Sequence, residues 1–156
     1  MRAKKGFTLV EILIVVVILG ILAAIVIPQF TDASTEAKLS SLCSDLQTFR
    51  SQLELYKIQH ADALPTDTGQ LGLPDAMLVQ TNATGAAYSS GDPTGPFGPY
   101  VQKIPKNAFT GQTGINVGAA DPNSIPLDAT GATYGWYFNN TTGQFNACDT
   151  TEHSQL

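Results

Sequence analysis

A chain of 156 residues holds one ordinary domain with an appendage, which excludes a large multi-domain enzyme. Hydrophobic residues make up 43% of it and charged residues only 13%, and the apolar excess is gathered near the start. Three of the eight basic residues, Arg2, Lys4 and Lys5, precede the first apolar run, so loss of residues 1–6 takes the formal net charge from −5 to −8; a surface of that sign repels phosphate backbones and gives nucleic-acid binding by the isolated subunit no support.

From Ile12 to Ile27 every residue is apolar or glycine, and nothing charged falls between Glu11 and Asp32. The 21 residues from Phe7 to Ile27 reach about 30 Å as an α-helix, the thickness of a bilayer's hydrocarbon core. Arg2, Lys4 and Lys5 just before them predict a cytoplasmic N-terminus and an outward-facing C-terminal head. A cleaved secretory signal fits poorly, because Ala23 and Ala24 follow Ile21 and Leu22 at the spacing where a small residue is needed, and the apolar run continues past both. A plain anchor fits poorly as well, because Glu11 places a carboxylate one turn inside, at a cost on the order of 2–3 kcal/mol if central. The only close cations, Lys4 and Lys5, lie in the part preceding Gly6, so a newly made amino terminus is the natural source of positive charge.

The run Lys5-Gly6-Phe7-Thr8-Leu9-Val10-Glu11, followed by Ile12 to Ile27 and Pro28, resembles the N-terminal signal of type IV pilins and type II secretion pseudopilins. The resemblance is close over the first 30 residues and looser beyond about residue 60. It implies cleavage between Gly6 and Phe7 by a prepilin peptidase and methyltransferase, and N-methylation of Phe7. It also implies copies of the chain itself, an inner-membrane assembly platform and minor pilins or pseudopilins as partners. The location it implies is the bacterial inner membrane, crossed once, with a periplasmic head that moves into a filament. Methylation keeps the amine's charge, so Phe7 of one subunit is able to neutralise Glu11 of a neighbour in low dielectric and set the axial register of assembly.

Beyond Pro28, Leu39, Leu42, Leu46, Phe49, Leu53 and Tyr56 recur at helical steps, with charged residues such as Asp45, Arg50 and Glu54 between them. This predicts an amphipathic helix over 28–60 that packs on the head. Gly20 and Pro28 bound its weakest stretch, where a helix break or a kink at Pro28 is expected. The expected organisation is a leader over 1–6, a membrane and filament-core helix over 7–27, the amphipathic helix over 28–60 and a head over 61–156.

The head holds 12 of the 14 glycines and eight of the nine prolines, so loops dominate it. Strands are expected at Tyr100–Ile104, Ile115–Val117, Thr133–Phe138 and Gln144–Ala147, the last two forming a hairpin around Asn139-Asn140-Thr141-Thr142-Gly143. Trp136, Phe138 and Phe145 would share one face. The fold class is α+β and pilin-like, a long N-terminal helix laid on a small antiparallel sheet with long loops.

Tyr56-Lys57-Ile58, Leu64-Pro65-Thr66, Gln70-Leu71-Gly72-Leu73 and Tyr100 to Pro105 resemble the major pseudopilin of secretion systems. That family usually carries an aspartate-rich calcium loop. Here Asp121, Asp128 and Asp149 lack alternating ligand spacing, so no cofactor is expected and calcium is unsupported. Cys43 and Cys148 allow a disulfide worth up to about 4–5 kcal/mol, or two separate buried thiols. His60 and His153 read as surface residues without metal-binding neighbours. Asn82-Ala83-Thr84 and Asn140-Thr141-Thr142 match glycosylation sequons, too short a pattern to assign a role. No phosphate loop or nucleophile elbow occurs, so an enzyme is not expected. The leading expectation is a pseudopilus subunit that serves protein export. The rivals are a major type IV pilin of a surface pilus and a membrane-anchored binding protein that never polymerises.

Overall fold

The structure, a computed structural model, describes residues 6–65, 73–119 and 134–156. Most of the leader (residues 1–5), Thr66, the Gln70-Leu71-Gly72 motif, Asp121, Asp128 and Thr133 lie outside the described residues.

One α-helix, α1, spans Leu9–Gln59. It is not interrupted at Gly20 or Pro28. Proline removes one N–H from the ladder, but the turns on either side retain theirs, and the Thr31 hydroxyl donates to Pro28 O at 2.7 Å. The chain divides into two compact units between Lys38 and Leu39. In the first, residues 6–38 are all exposed, and α1 includes a stretch long and apolar enough to cross a membrane.

The second unit is built on the helical stripe. Leu42, Leu46, Phe49, Leu53 and Tyr56 are buried, whereas Leu39, the first of the series, is left exposed. Facing them is a three-stranded sheet, β1 (Ile115–Gly118), β2 (Trp136–Asn139) and β3 (Phe145–Ala147), in the order β1-β2-β3. The expected hairpin forms: β2 and β3 pair antiparallel, with Phe138 opposite Phe145 and Trp136 opposite Ala147. Its turn is held by Asn139, whose side-chain oxygen accepts from Thr141 N and Thr142 N, and by Gly143 at a positive φ of 77°. Alternation works as expected, because Trp136, Phe138 and Phe145 join the α1 core while Tyr137 faces the other way with Cys148. Phe49 stacks on Phe145 with ring centroids 4.1 Å apart.

Two expectations are corrected. The sheet is mixed rather than antiparallel: β1 pairs parallel with β2, Ile115 opposite Trp136 and Val117 opposite Phe138. Seventeen residues separate these strands, enough for the crossover that a parallel pair needs. The second correction is that Tyr100–Ile104 forms no strand. Its first two amides, Tyr100 N and Val101 N, both donate to Met77 O in the short helix α2 (Asp75–Leu78), so no partner strand receives them. A buried Asn107 ties this segment to the sheet, donating from Nδ2 to Gly135 O at 2.8 Å and accepting from Phe109 N. Gly135 is required there, since a Cβ would lie 2.3 Å from Gln112 O.

Candidate functional site at the helix start

The first turn of α1 closes on itself. Thr8 N–H and Thr8 Oγ1–H both donate to Glu11 Oε2, at 2.8 and 2.7 Å, and Glu11 N–H donates back to Thr8 Oγ1 at 3.3 Å. This is a capping box: threonine precedes the helix, a carboxylate sits three residues on, and each satisfies an amide that the helix leaves unpaired. The Thr-x-x-Glu spacing was present in the sequence, yet sequence reasoning weighed Glu11 only against missing cations. Hydrogen-bond donors from Thr8 satisfy one oxygen without neutralising the charge, so the carboxylate keeps its need for an opposite sign. Phe7 and Gly6 precede the box, and Phe7 is 79% exposed.

Among the described residues of this unit, nothing else resembles a reactive centre. From Ile12 to Ile27 the side chains are aliphatic and exposed, a surface that suits lipid or other helices rather than a polar substrate.

A family model described as the prokaryotic N-terminal methylation motif matches residues 1–27. Similarity also extends into the head: the type II secretion system core protein G of Vibrio cholerae is 31% identical over 109 residues, which cover 70% of this chain and 68% of that protein. The chain belongs to the type II secretion system core protein G family. The core protein G of Klebsiella pneumoniae is 27% identical over 135 residues, covering 81% of this chain and 90% of that protein. A fimbrial protein of Pseudomonas aeruginosa is 39% identical over 84 residues, but these cover 51% of this chain and 54% of that protein. Similarity to core protein G therefore reaches further along the chain than this similarity to a fimbrial protein. No solved structure matches the chain significantly.

The remaining candidate residues of this core protein G family member lie apart from the helix start in sequence and take structural positions. Cys43 and Cys148 are not bonded to each other. Cys43 lies on the exposed side of α1 and Cys148 is buried beside Tyr137, so the disulfide that the sequence allows is not formed. The surface position expected for His60 is not found, and His153 is only partly exposed. His60 is buried, stacked on Tyr56 at 3.9 Å, with Nδ1 2.8 Å from Tyr56 O and Nε2 3.0 Å from Thr81 Oγ1. Desolvation of the Tyr56 phenol in this cluster, with Tyr100 beside it, pushes its pKa up to about 12. His153 Nδ1 lies 2.5 Å from Asp149 Oδ2, and its ring packs on Phe109.

Asp149 is the one member of the weighed aspartate set among the described residues. Its Oδ1 is buried without a hydrogen-bond partner, but no cluster of three His, Cys, Asp or Glu gathers around it among the described residues.

Proposed function

We propose that this pseudopilin is stored in the bacterial inner membrane by residues 7–27 and then polymerises through the same helix into a secretion pseudopilus. Single-pass insertion with a cytoplasmic N-terminus follows from the basic residues before Phe7. In this reading residues 1–6 are a leader removed after Gly6, residues 7–27 become the filament core, residues 28–60 are amphipathic and residues 61–156 form the outward head. A prepilin peptidase would make the new terminus and methylate Phe7. An inner-membrane platform and minor pseudopilins would act in assembly, with the mechanical work supplied by that machinery. Elongation of the polymer would push folded cargo outward.

The observation that carries the reading is Glu11 in a helix that is otherwise apolar and exposed from Leu9 to Ile27. Thr8 satisfies Oε2, while no hydrogen bond is made by Oε1 among the described residues. An uncompensated carboxylate in hydrocarbon is costly, so a neighbour's methylated Phe7 amine would favour the polymer over the dispersed subunit. Such a charge pair fits one axial offset and would set register, as a polar group does inside a coiled coil. The test is Glu11→Ala. The variant should enter the membrane normally yet polymerise poorly, and an unchanged polymer yield would count against the pairing. Mass spectrometry of native material should find a chain beginning at methylated Phe7; an intact leader, or removal of the whole apolar stretch, would overturn the reading.

The stretch from Gly20 to Pro28 is proposed as the part of α1 that unwinds in the filament and lets it extend under load. It holds the helix's one proline and lacks a side chain at Gly20. Its amides should exchange faster in the polymer than in the subunit; equal protection would discard the idea.

A further inference from the structure

Between α1 and the segment after Tyr100, the second unit carries two adjoining clefts of about 310 and 700 Å³. They share Asp45, Gln102, Lys103 and Pro105, and Phe49, Tyr100, Leu78 and Ile104 supply apolar wall. Lys103 and Lys106 stand exposed on the rim.

These two lysines are out of keeping with their surroundings. From Leu39 onward the chain has ten acidic and four basic residues. Arg50 is committed internally, to Phe145 O, Leu156 O and Asn146 Oδ1, and Lys57 pairs with Glu54 at 3.0 Å. Lys103 and Lys106 make no ion pair among the described residues, so the head's unclaimed positive charge is concentrated at one groove. Asp45 opposes it from α1, and burial pushes that carboxyl's pKa up.

The complementary feature lies on the first unit. Asp32 and Glu36 are exposed and sit at i and i+4 on α1, about 5–6 Å apart at Cβ, where like charges destabilise an isolated helix. Neither has a basic residue three or four positions away in sequence. Each copy of the chain therefore bears an unpartnered acidic pair at helical spacing and an unpartnered lysine pair three residues apart beside an apolar cleft.

We infer that the Lys103–Lys106 groove of one subunit receives the Asp32–Glu36 turn of α1 from a second copy. This rests on the reading that copies pack together through α1. It adds a head-to-helix contact to the Phe7–Glu11 pairing. Charge opposition would steer subunits into place and penalise misplaced ones, because like charges brought together at an interface are strongly disfavoured.

Charge exchange tests the contact in assembled filaments of the full chain. Lys103→Glu with Lys106→Glu, or Asp32→Lys with Glu36→Lys, should each lower polymer yield by about tenfold or more, and the four together should restore it to within about threefold. Near-normal polymer from either reversed pair, or no rescue in the quadruple variant, overturns the inference. So does an intact filament that has lost only secretion, since the groove would then serve another protein. Cross-linking gives a readout that does not depend on yield: Lys103→Cys with Glu36→Cys, in a Cys43→Ser background, should give oxidised ladders from filaments. Ladders absent from filaments that form normally also overturn it. The two readings separate cleanly: loss of this contact leaves the effect of Glu11→Ala unchanged, whereas a chain that never polymerises removes both.

Discussion

Thr8 donates twice to one oxygen of Glu11, through its amide at 2.8 Å and its hydroxyl at 2.7 Å. The carboxylate that would meet a neighbour's terminus is thus also the residue that starts its own helix. The two roles use different lone pairs, since Thr8 engages Oε2 alone. The box preorganises the acid at little cost, because the orphan amides of a first turn need acceptors in any case.

Thr8→Val keeps the shape of the side chain and removes the hydroxyl. It should loosen the first turn by about 1 kcal/mol, with Thr8→Ser close to the parent. Hydrogen exchange of the amides at residues 9–12 in detergent or bilayer reports it directly. Equal protection in Thr8→Val and the parent would show that the box adds nothing to the helix start.

Arg50 joins α1 to the far end of the sequence, donating from Nε to Phe145 O, from Nη2 to Asn146 Oδ1 and from Nη1 to Leu156 O. The guanidinium is half-buried, and desolvation draws its pKa down from the ordinary value. Arg50→Met retains the aliphatic stem but leaves the β3 carbonyl without its donor. The head should lose about 1.5–3 kcal/mol, read by denaturant unfolding of the full chain in detergent with Trp136 as probe. Arg50→Lys should recover only part of this, because an ammonium lacks the planar fork that reaches three acceptors.

What the sequence made legible depended on whether the controlling interaction was periodic and local. The stripe Leu42, Leu46, Phe49, Leu53 and Tyr56 is buried as its spacing required, and the hairpin follows from alternation around an Asn-rich turn. The Gly6–Glu11 motif was legible for the same reason, being six adjacent residues. Strand direction was not: nothing in Ile115–Gly118 says whether it runs with or against Trp136, and the length of the connection permits either. Nor were the polar residues whose partners lie far along the chain. His60 looks like a surface residue until Thr81 and Tyr56 enclose it, and Asn107 like a loop residue until Gly135 accepts its amide. Arg50 meets Phe145 across 95 positions, a distance at which no pattern of spacing carries information.

The loop after α2 offers a pH-dependent prediction. Asp92 accepts through Oδ1 from the hydroxyl and amide of Thr94 and through Oδ2 from Asn82 Nδ2, and these bonds, the Thr94 hydroxyl first, hold its pKa below the ordinary 3.8. A depressed folded value means that the ionised form is favoured by folding. The contribution is complete above the unfolded pKa and is lost as pH falls through the lowered folded value. Acidification below about pH 4 should therefore loosen the loop around Asn82 and Thr94. Asp92→Asn should flatten that part of the pH dependence while leaving behaviour near pH 7 nearly unchanged, followed by amide exchange or NMR of Thr84 and Thr94. A variant that keeps the parent's acid response would place the titration elsewhere.

The two cysteines give a test of packing that needs no substitution. Cys43 is exposed on the polar side of α1, and Cys148 is fully buried beside Tyr137 at the end of β3. A thiol reacts as its thiolate and only where reagent reaches it, so accessibility should separate the two by a large factor. In the native subunit a maleimide should add once, at Cys43, and a second addition should appear only under denaturant. The rate of that second addition then follows opening of the head, because Cys148 is reached only when its packing against Tyr137 comes apart. Arg50→Met, which unties β3 from the helix, should accelerate it in proportion to the stability lost, while Thr8→Val should not. A protein that takes up no maleimide before reduction, and two equivalents after it, would instead have its sulfurs joined and would contradict the packing described.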